Sequence, residues 1–206
     1  MKQVRHRLIA KIRSMGLRRT LGYVLFTVLL ERLGLHVNVV FLRAMNGAPS
    51  EPDPAGFHVD VVQHEEGISE QDAVALREYG GGLLMDSFHR AFAAGKRCVI
   101  LRSGNSGIAT ICWIEKVSGF PPASDAPCVL VSRCFTLPQY RGMGLYPALL
   151  RMIDGVLPAE MRGLRHAVIE CSFFNYASRR GIVKAGFKQC GIAVEISRKR
   201  LVWRRD

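Results

Sequence analysis

Apolar residues recur along this chain with two different periods, and the switches between them mark its elements. Leu21, Val24, Leu25, Val28, Leu29 and Leu33 follow i, i+3, i+4, i+7 spacing, which predicts a helix with a broad apolar face. Residues 37–42 read as a strand, and residues 46–56, with three prolines and two glycines, read as a linker. Residues 57–63 alternate as a strand. Ser69 then offers an N-cap with Asp72 three positions on, opening a helix that stops at Gly80–Gly82; a second helix covers 83–94 and ends at Gly95. Residues 97–103 and 108–115 flank Gly104-Asn-Ser-Gly107, a hairpin signal. A proline-rich loop at 116–127 follows.

The stretch 128–150 carries the strongest local signal. An apolar, β-branched run through Val131 and Phe135 ends at Pro138, and Gln139-Tyr-Arg-Gly-Met-Gly144 leads into a helical pattern at Leu145, Leu149, Met152 and Ile153. Strand, glycine-bearing loop and helix start together aim unpaired N–H groups at one spot, which suits an anion. Beyond Pro158 the pattern predicts a strand at 166–171, a short helix at 175–185 closed by Gly186, a strand at 187–196 and a last one at 201–203. The division expected is a basic amphipathic extension (1–45), a linker (46–56) and one domain (57–206).

Composition changes this picture in two places. The formal charge is +12, and seven Lys/Arg fall within the first nineteen residues, with no acid before Glu31. The uncharged run 20–30 is about half of the ~20 residues needed to span a bilayer. The head therefore reads either as a helix packed on the domain or on a second subunit, or as an anchor lying in the surface of an anionic membrane. Nucleic-acid binding is disfavoured, because no aromatic or groove-reading motif accompanies the charge. The six cysteines show no C-x-x-C and no Cys/His cluster, so neither a disulfide framework nor a metal site is expected, and a reducing, cytoplasmic compartment fits best.

Gln139-x-x-Gly142-x-Gly144 resembles the Q/R-x-x-G-x-G/A pyrophosphate loop of the GNAT superfamily of acyl-CoA-dependent N-acetyltransferases. The order of elements over 57–203 resembles the family's order as well. Ala109 and Trp113 stand near the small residue and the aromatic of its hairpin, and Asn175, Ser178, Gly186 and Phe187 match its second half-site. The resemblance implies an α/β (α+β) fold, a mostly antiparallel mixed sheet splayed between two parallel strands and flanked by helices, here with an extra N-terminal basic helix. It also implies acetyl-CoA as co-substrate, no metal, and a primary amine as acceptor, attacking the thioester directly in a ternary complex. The pantetheine would bond the backbone of Phe135, Thr136 and Leu137. The amides from Tyr140 through Arg141, Gly142, Met143 and Gly144 to Leu145, after Gln139, would cradle the pyrophosphate. Arg141 could reach a phosphate, and Asn175 and Ser178 the pantetheine arm. For Asn175 an ordinary helix cap is the alternative.

The sequence also departs from the family. Ile182 stands where many members have a catalytic Tyr, and Ser132 and Arg133 occupy the region where many carry a Glu. Tyr176, Tyr146 or water is left to supply the acid. Glu170 and Glu115 are the nearest strand carboxylates for a base. These gaps keep open a domain that binds CoA without turnover, beside an N-acyltransferase using a longer acyl chain at a membrane surface.

Overall fold

In the computed structural model, the described residues are 34–45, 54–104, 107–121, 123–196 and 199–204. The expected N-terminal helix and most of the expected linker lie outside them. The described chain folds around one eight-stranded mixed sheet in the order β2-β3-β4-β5-β6-β1-β7-β8. The strands are β1 (Leu35–Ala44), β2 (Phe57–Val62), β3 (Arg97–Ser103), β4 (Gly107–Val117), β5 (Cys128–Thr136), β6 (His166–Ser172), β7 (Lys188–Ile196) and β8 (Lys199–Arg204). Four helices flank it: α1 (Glu70–Gly80), α2 (Gly82–Ala93), α3 (Leu145–Met152) and α4 (Tyr176–Lys184).

Each face of the sheet buries its own apolar set. Leu76, Met85 and Phe88 of α1 and α2 pack with Ile100, Ile111 and Trp113 on one side. Leu145, Leu149 and Met152 of α3 and Ile182 of α4 pack with Val39, Phe41, Val129, Val131 and Ile169 on the other. The predicted capping box at α1 forms in full: Asp72 N donates to Ser69 Oγ (3.1 Å) and Ser69 N to Asp72 Oδ2 (3.3 Å). Gly81, at φ 69°, separates α1 from α2.

The strand at 37–42, grouped with the extension in the sequence reading, is an inner strand of the sheet. It forms part of β1, antiparallel to β6 on one side (Asn38 opposite Ser172, Ala44 opposite His166) and to β7 on the other. Val39, Val40 and Phe41 are buried in succession, which only a strand covered on both faces can achieve. Arg43 fastens β1 to both helices behind it. Its guanidinium donates to the carbonyls of Leu150 (2.8 Å) and Ala185 (3.2 Å), pairs with Asp154, and lies over the Phe187 ring. The domain of this structure therefore begins by Leu35. The sequence reading missed this because β1 is far in sequence from both of its partners.

A second ion cluster locks the opposite side. Arg102 of β3 donates Nη1 to both carboxylate oxygens of Asp72 (2.9 and 2.8 Å) and Nε to Asp60 (2.5 Å), with Arg102 and Asp72 both buried.

Candidate functional site

The site begins where two parallel strands part. β5 and β6 pair only over Val129–Val131 against Ala167–Ile169. Beyond Val131 and Ile169 they diverge, leaving inward-facing backbone on each without a neighbour. A bulge sets the angle. The β4–β5 register shifts between Ile111 and Trp113, and Arg133, at φ 48°, is the one non-glycine with positive φ among the described residues. That conformation costs about 1–2 kcal/mol. The inserted residue brings Val131 and Cys134, three positions apart, to the same α3/α4 face, and turns Phe135 to the other.

Past the bulge the three residues expected to receive a pantetheine differ in what they offer. Thr110 Oγ1 donates to Phe135 O (2.9 Å), and Leu137 N donates to Ala109 O (3.0 Å), so both residues face β4. Alternation then turns Thr136 toward the gap. Its carbonyl accepts from Arg141 Nε (3.2 Å). Arg141 also donates to Tyr79 OH (3.1 Å), and the Tyr79 ring stacks on Phe135 at 5.1 Å. In this arrangement Arg141 braces the loop against α1.

The loop then turns through a 3-10 segment, Pro138–Tyr140, into α3. Tyr140 is its anchor, edge-on to Phe57. Gln139, Arg141, Met143 and the two glycines are exposed, while Leu145 is buried in the core. Gly142 and Gly144 stand at φ 84° and 78°, and a Cβ on either would meet nothing within 4 Å. Their glycines are required by backbone angle, and the space before them is open. Gly144 is the N-cap of α3, and no side chain caps that end. The first amides of the helix therefore have no capping side chain, with the positive end of the helix dipole behind them.

On the β6 side, Asn175 caps α4, its Oδ1 accepting from Ser178 N (3.2 Å). Ser178 also meets a group from α3: Tyr146 OH lies 3.3 Å from Ser178 Oγ. The Tyr146 ring fits into α4 at Gly181, where a Cβ would come within 2.6 Å of Cδ1. The thiols of Cys134 and Cys171, one from each diverging strand, are close enough to perturb it. Burial pushes the Tyr146 hydroxyl well above its ordinary pKa, with Cys134 adding to the effect and the Ser178 bond opposing it. Burial likewise raises the Cys171 thiol to about 11, against a smaller opposing effect from Ser178. Near neutral pH these groups are uncharged, so Tyr146 holds a proton at the floor of the fork and Cys171 is no thiolate nucleophile. Gly181, an isolated glycine within a helical pattern, was the sequence sign of this contact.

The two carboxylates expected as bases are parted by the fold. Glu170 follows Ile169 at the fork on the sheet face opposite Cys171, bound to Arg200 (2.9 Å), which also holds Glu195 and lies over the Phe120 ring. Ser132 Oγ, on the adjoining strand, is buried without a partner. Glu115 pairs with Lys96 (2.6 Å) and stands opposite Leu130, toward the closed end of the β4–β5 ladder. The structure thus gathers residues 135–145, Asn175 and Ser178 about one fork, adds Tyr146, leaves Glu170 at its rim, and separates Glu115 from it. No group of three or more metal-ligating side chains occurs among the described residues.

No family model matches the chain, and no curated protein sequence matches it. Solved structures do. A functionally unknown conserved protein from Staphylococcus epidermidis superposes with a TM-score of 0.54 at 9% identity, over 86% of this chain and 66% of its own. A GNAT-family acetyltransferase from Colwellia psychrerythraea gives 0.51 at 11% identity, over 82% and 56%. A GCN5-related N-acetyltransferase from Sphaerobacter thermophilus gives 0.51 at 17% identity, over 87% and 56%. The chain thus spans between about half and two thirds of the length of these structures. At such identities the likeness shows the fold, and that fold is of the GNAT type.

Proposed function

We propose that this chain is an acyl-CoA-dependent N-acyltransferase that moves an acetyl group from acetyl-CoA to a primary amine. The observation that carries the reading is the open fork between β5 and β6, which runs directly into the uncapped, glycine-bearing start of α3. A pantetheine would extend along β5, facing Thr136, as an added strand would. The pyrophosphate would take the amides of residues 142–145. The amine nitrogen attacks the thioester carbon, and a tetrahedral intermediate collapses with cleavage of the C–S bond. An N–H of the bulged segment of β5 would stabilise the oxyanion. The departing thiolate takes its proton from solvent, and Tyr146, kept neutral by burial within the fork, donates a hydrogen bond to the sulfur as charge develops there. Glu170, at the rim on the other face, takes the amine's proton directly or through water.

Purified protein tests this in two steps. Acetyl-CoA at 100 times its Kd should stabilise the fold by about 2.7 kcal/mol, a rise of roughly 5–10 °C in Tm, and an amine panel should release CoA. Stabilisation without release from any amine would favour a CoA-binding domain that has lost turnover. Tyr146→Phe removes that donor and should lower kcat on the order of 10²-fold with KM for acetyl-CoA unchanged. An unchanged kcat would exclude Tyr146 from stabilising the leaving group. Glu170→Gln should slow the reaction and Glu115→Gln should leave it unaltered; the opposite order would reject our assignment of the base.

A further inference from the structure

On the face of the sheet away from α3 and α4, three strands turn from apolar to polar as they approach the end where β5 and β6 part. Val168, Val40 and Ala193 are buried there in one cluster, against which Phe120 packs. Further toward the fork, the same face carries Glu170 and Ser172 on β6, Asn38 and His36 on β1, and Glu195 on β7. The register joins them into one surface, with Asn38 opposite both Ser172 and Ala193, and His36 opposite Glu195. Side chains of this kind belong where the face meets water or a polar ligand, because burying them without partners is costly.

The acids of this surface converge on one guanidinium. Arg200 of β8 stands opposite Glu195 and donates Nη1 to Glu195 Oε1 (3.2 Å). It donates Nη2 to Glu170 Oε2 (2.9 Å), which carries its side chain across β7 and β1 to the rim of the fork. Its Cζ lies 4.7 Å from the centre of the Phe120 ring. Two carboxylates and an aromatic face around a single cation make a seat suited to an ammonium or a guanidinium. No other cation pairs with either acid among the described residues, so two acids and one arginine leave the seat one negative charge. The side chains of Glu170, Arg200 and Glu195 are 27%, 29% and 40% exposed, so a solute can reach them.

Resting on the acyltransferase reading, in which Glu170 takes the amine's proton, we infer that the acceptor is an aliphatic amine carrying a second cationic group, an amine or a guanidine. Glu170 receives the reacting nitrogen at the fork, and Glu195 with Phe120 receives the second cation. Arg200 is then an internal stand-in for the ligand. It gives up its place at little cost, because partly exposed ion pairs contribute little and the incoming cation remakes them, while Arg200, on the edge strand, turns out to water. The excess negative charge draws a dication to this face. An anionic acceptor would meet two carboxylates there, and one with an apolar far end would gain nothing from them.

Three amines of similar chain length make the test: agmatine, n-butylamine and 4-aminobutyrate, whose far ends are cationic, apolar and anionic. With acetyl-CoA saturating the full-length protein, kcat/KM for agmatine should exceed that for either of the others by about tenfold or more. Glu195→Gln should raise KM for agmatine by about the same factor while kcat changes little. Arg200→Ala, which clears the seat, should lower that KM. Melting transitions are recorded for both variants, and the nearly isosteric Glu195→Gln carries the test if Arg200→Ala loosens β8. Use of n-butylamine or 4-aminobutyrate as well as agmatine overturns the proposal. So does a Glu195→Gln protein with an unaltered KM for agmatine, or an Arg200→Ala protein that melts like the parent and takes agmatine less well. If acetyl-CoA binds and no amine releases CoA, the acyltransfer reading fails separately. Calorimetric titration of agmatine into the protein loaded with acetyl-CoA then decides on the seat: binding that Glu195→Gln weakens upholds it, and absence of binding removes it.

Discussion

A chain that starts at residue 46 is expected not to fold, while one that starts at residue 34 keeps a cooperative melting transition. The difference is β1. Its removal opens the sheet between β6 and β7 and leaves both neighbours as unpaired edges. It also takes away the buried side chains of Val39, Val40 and Phe41, each stabilising by about 1.5–3 kcal/mol. Arg43 goes with them, so Leu150 O and Ala185 O lose their donor and Asp154 its partner. A domain is stable by only about 5–15 kcal/mol in total, and these losses together reach that range. Circular dichroism melts of the two truncations decide the matter. A chain beginning at residue 46 that melts at the parent's temperature would show β1 to be dispensable. Membrane experiments on the N-terminal head should accordingly compare the full chain with one lacking residues 1–33, since a longer deletion would report unfolding.

This case also shows what local pattern can and cannot reveal. The capping box at Ser69, the hairpin at β3–β4, the break at Pro138 and the glycine-bearing start of α3 are all legible because each depends on residues within a few positions of one another. The parallel fork could be anticipated only through the resemblance of ordered motifs, since Val131 and Ile169 meet across a long connection. The place of β1 could not be anticipated, although its unbroken apolar run already pointed to burial on both faces. Around the fork, the loop glycines were correctly placed near the helix start because positive φ restricts the residue type. The proton chemistry was harder. Tyr146 could be named as an aromatic hydroxyl, but its depth depends on Gly181 on another helix. Glu170 and Glu115 were equivalent as strand carboxylates, and only the register separates the one at the fork from the one bound to Lys96.

Asp72→Ala should destabilise the protein by about 3–5 kcal/mol, the usual cost of leaving one partner of a buried ion pair alone. Asp72 is 1% exposed and Arg102 8%, so water cannot replace the two bonds that the guanidinium loses. For a chain of this size the expected fall in Tm is roughly 6–20 °C. Two controls separate the ion pair from the helix cap, because Asp72 also closes the capping box. Ser69→Ala removes the cap alone and should cost about 1 kcal/mol. Asp60→Ala removes the half-exposed partner of Arg102 and should cost no more than about 1 kcal/mol. If Asp72→Ala were no worse than Ser69→Ala, the pair with Arg102 would contribute nothing, and the cluster would be only a cap. Replacing Asp72 and Arg102 together by leucine and methionine should recover much of the loss, since no buried charge is then stranded. The consequence reaches the fork through α1: Tyr79 near its end stacks on Phe135 and accepts from Arg141, so a loosened α1 frees both. Well below its lowered Tm, the Asp72→Ala protein should therefore bind acetyl-CoA more weakly, and the fully apolar double variant should regain that affinity along with its stability.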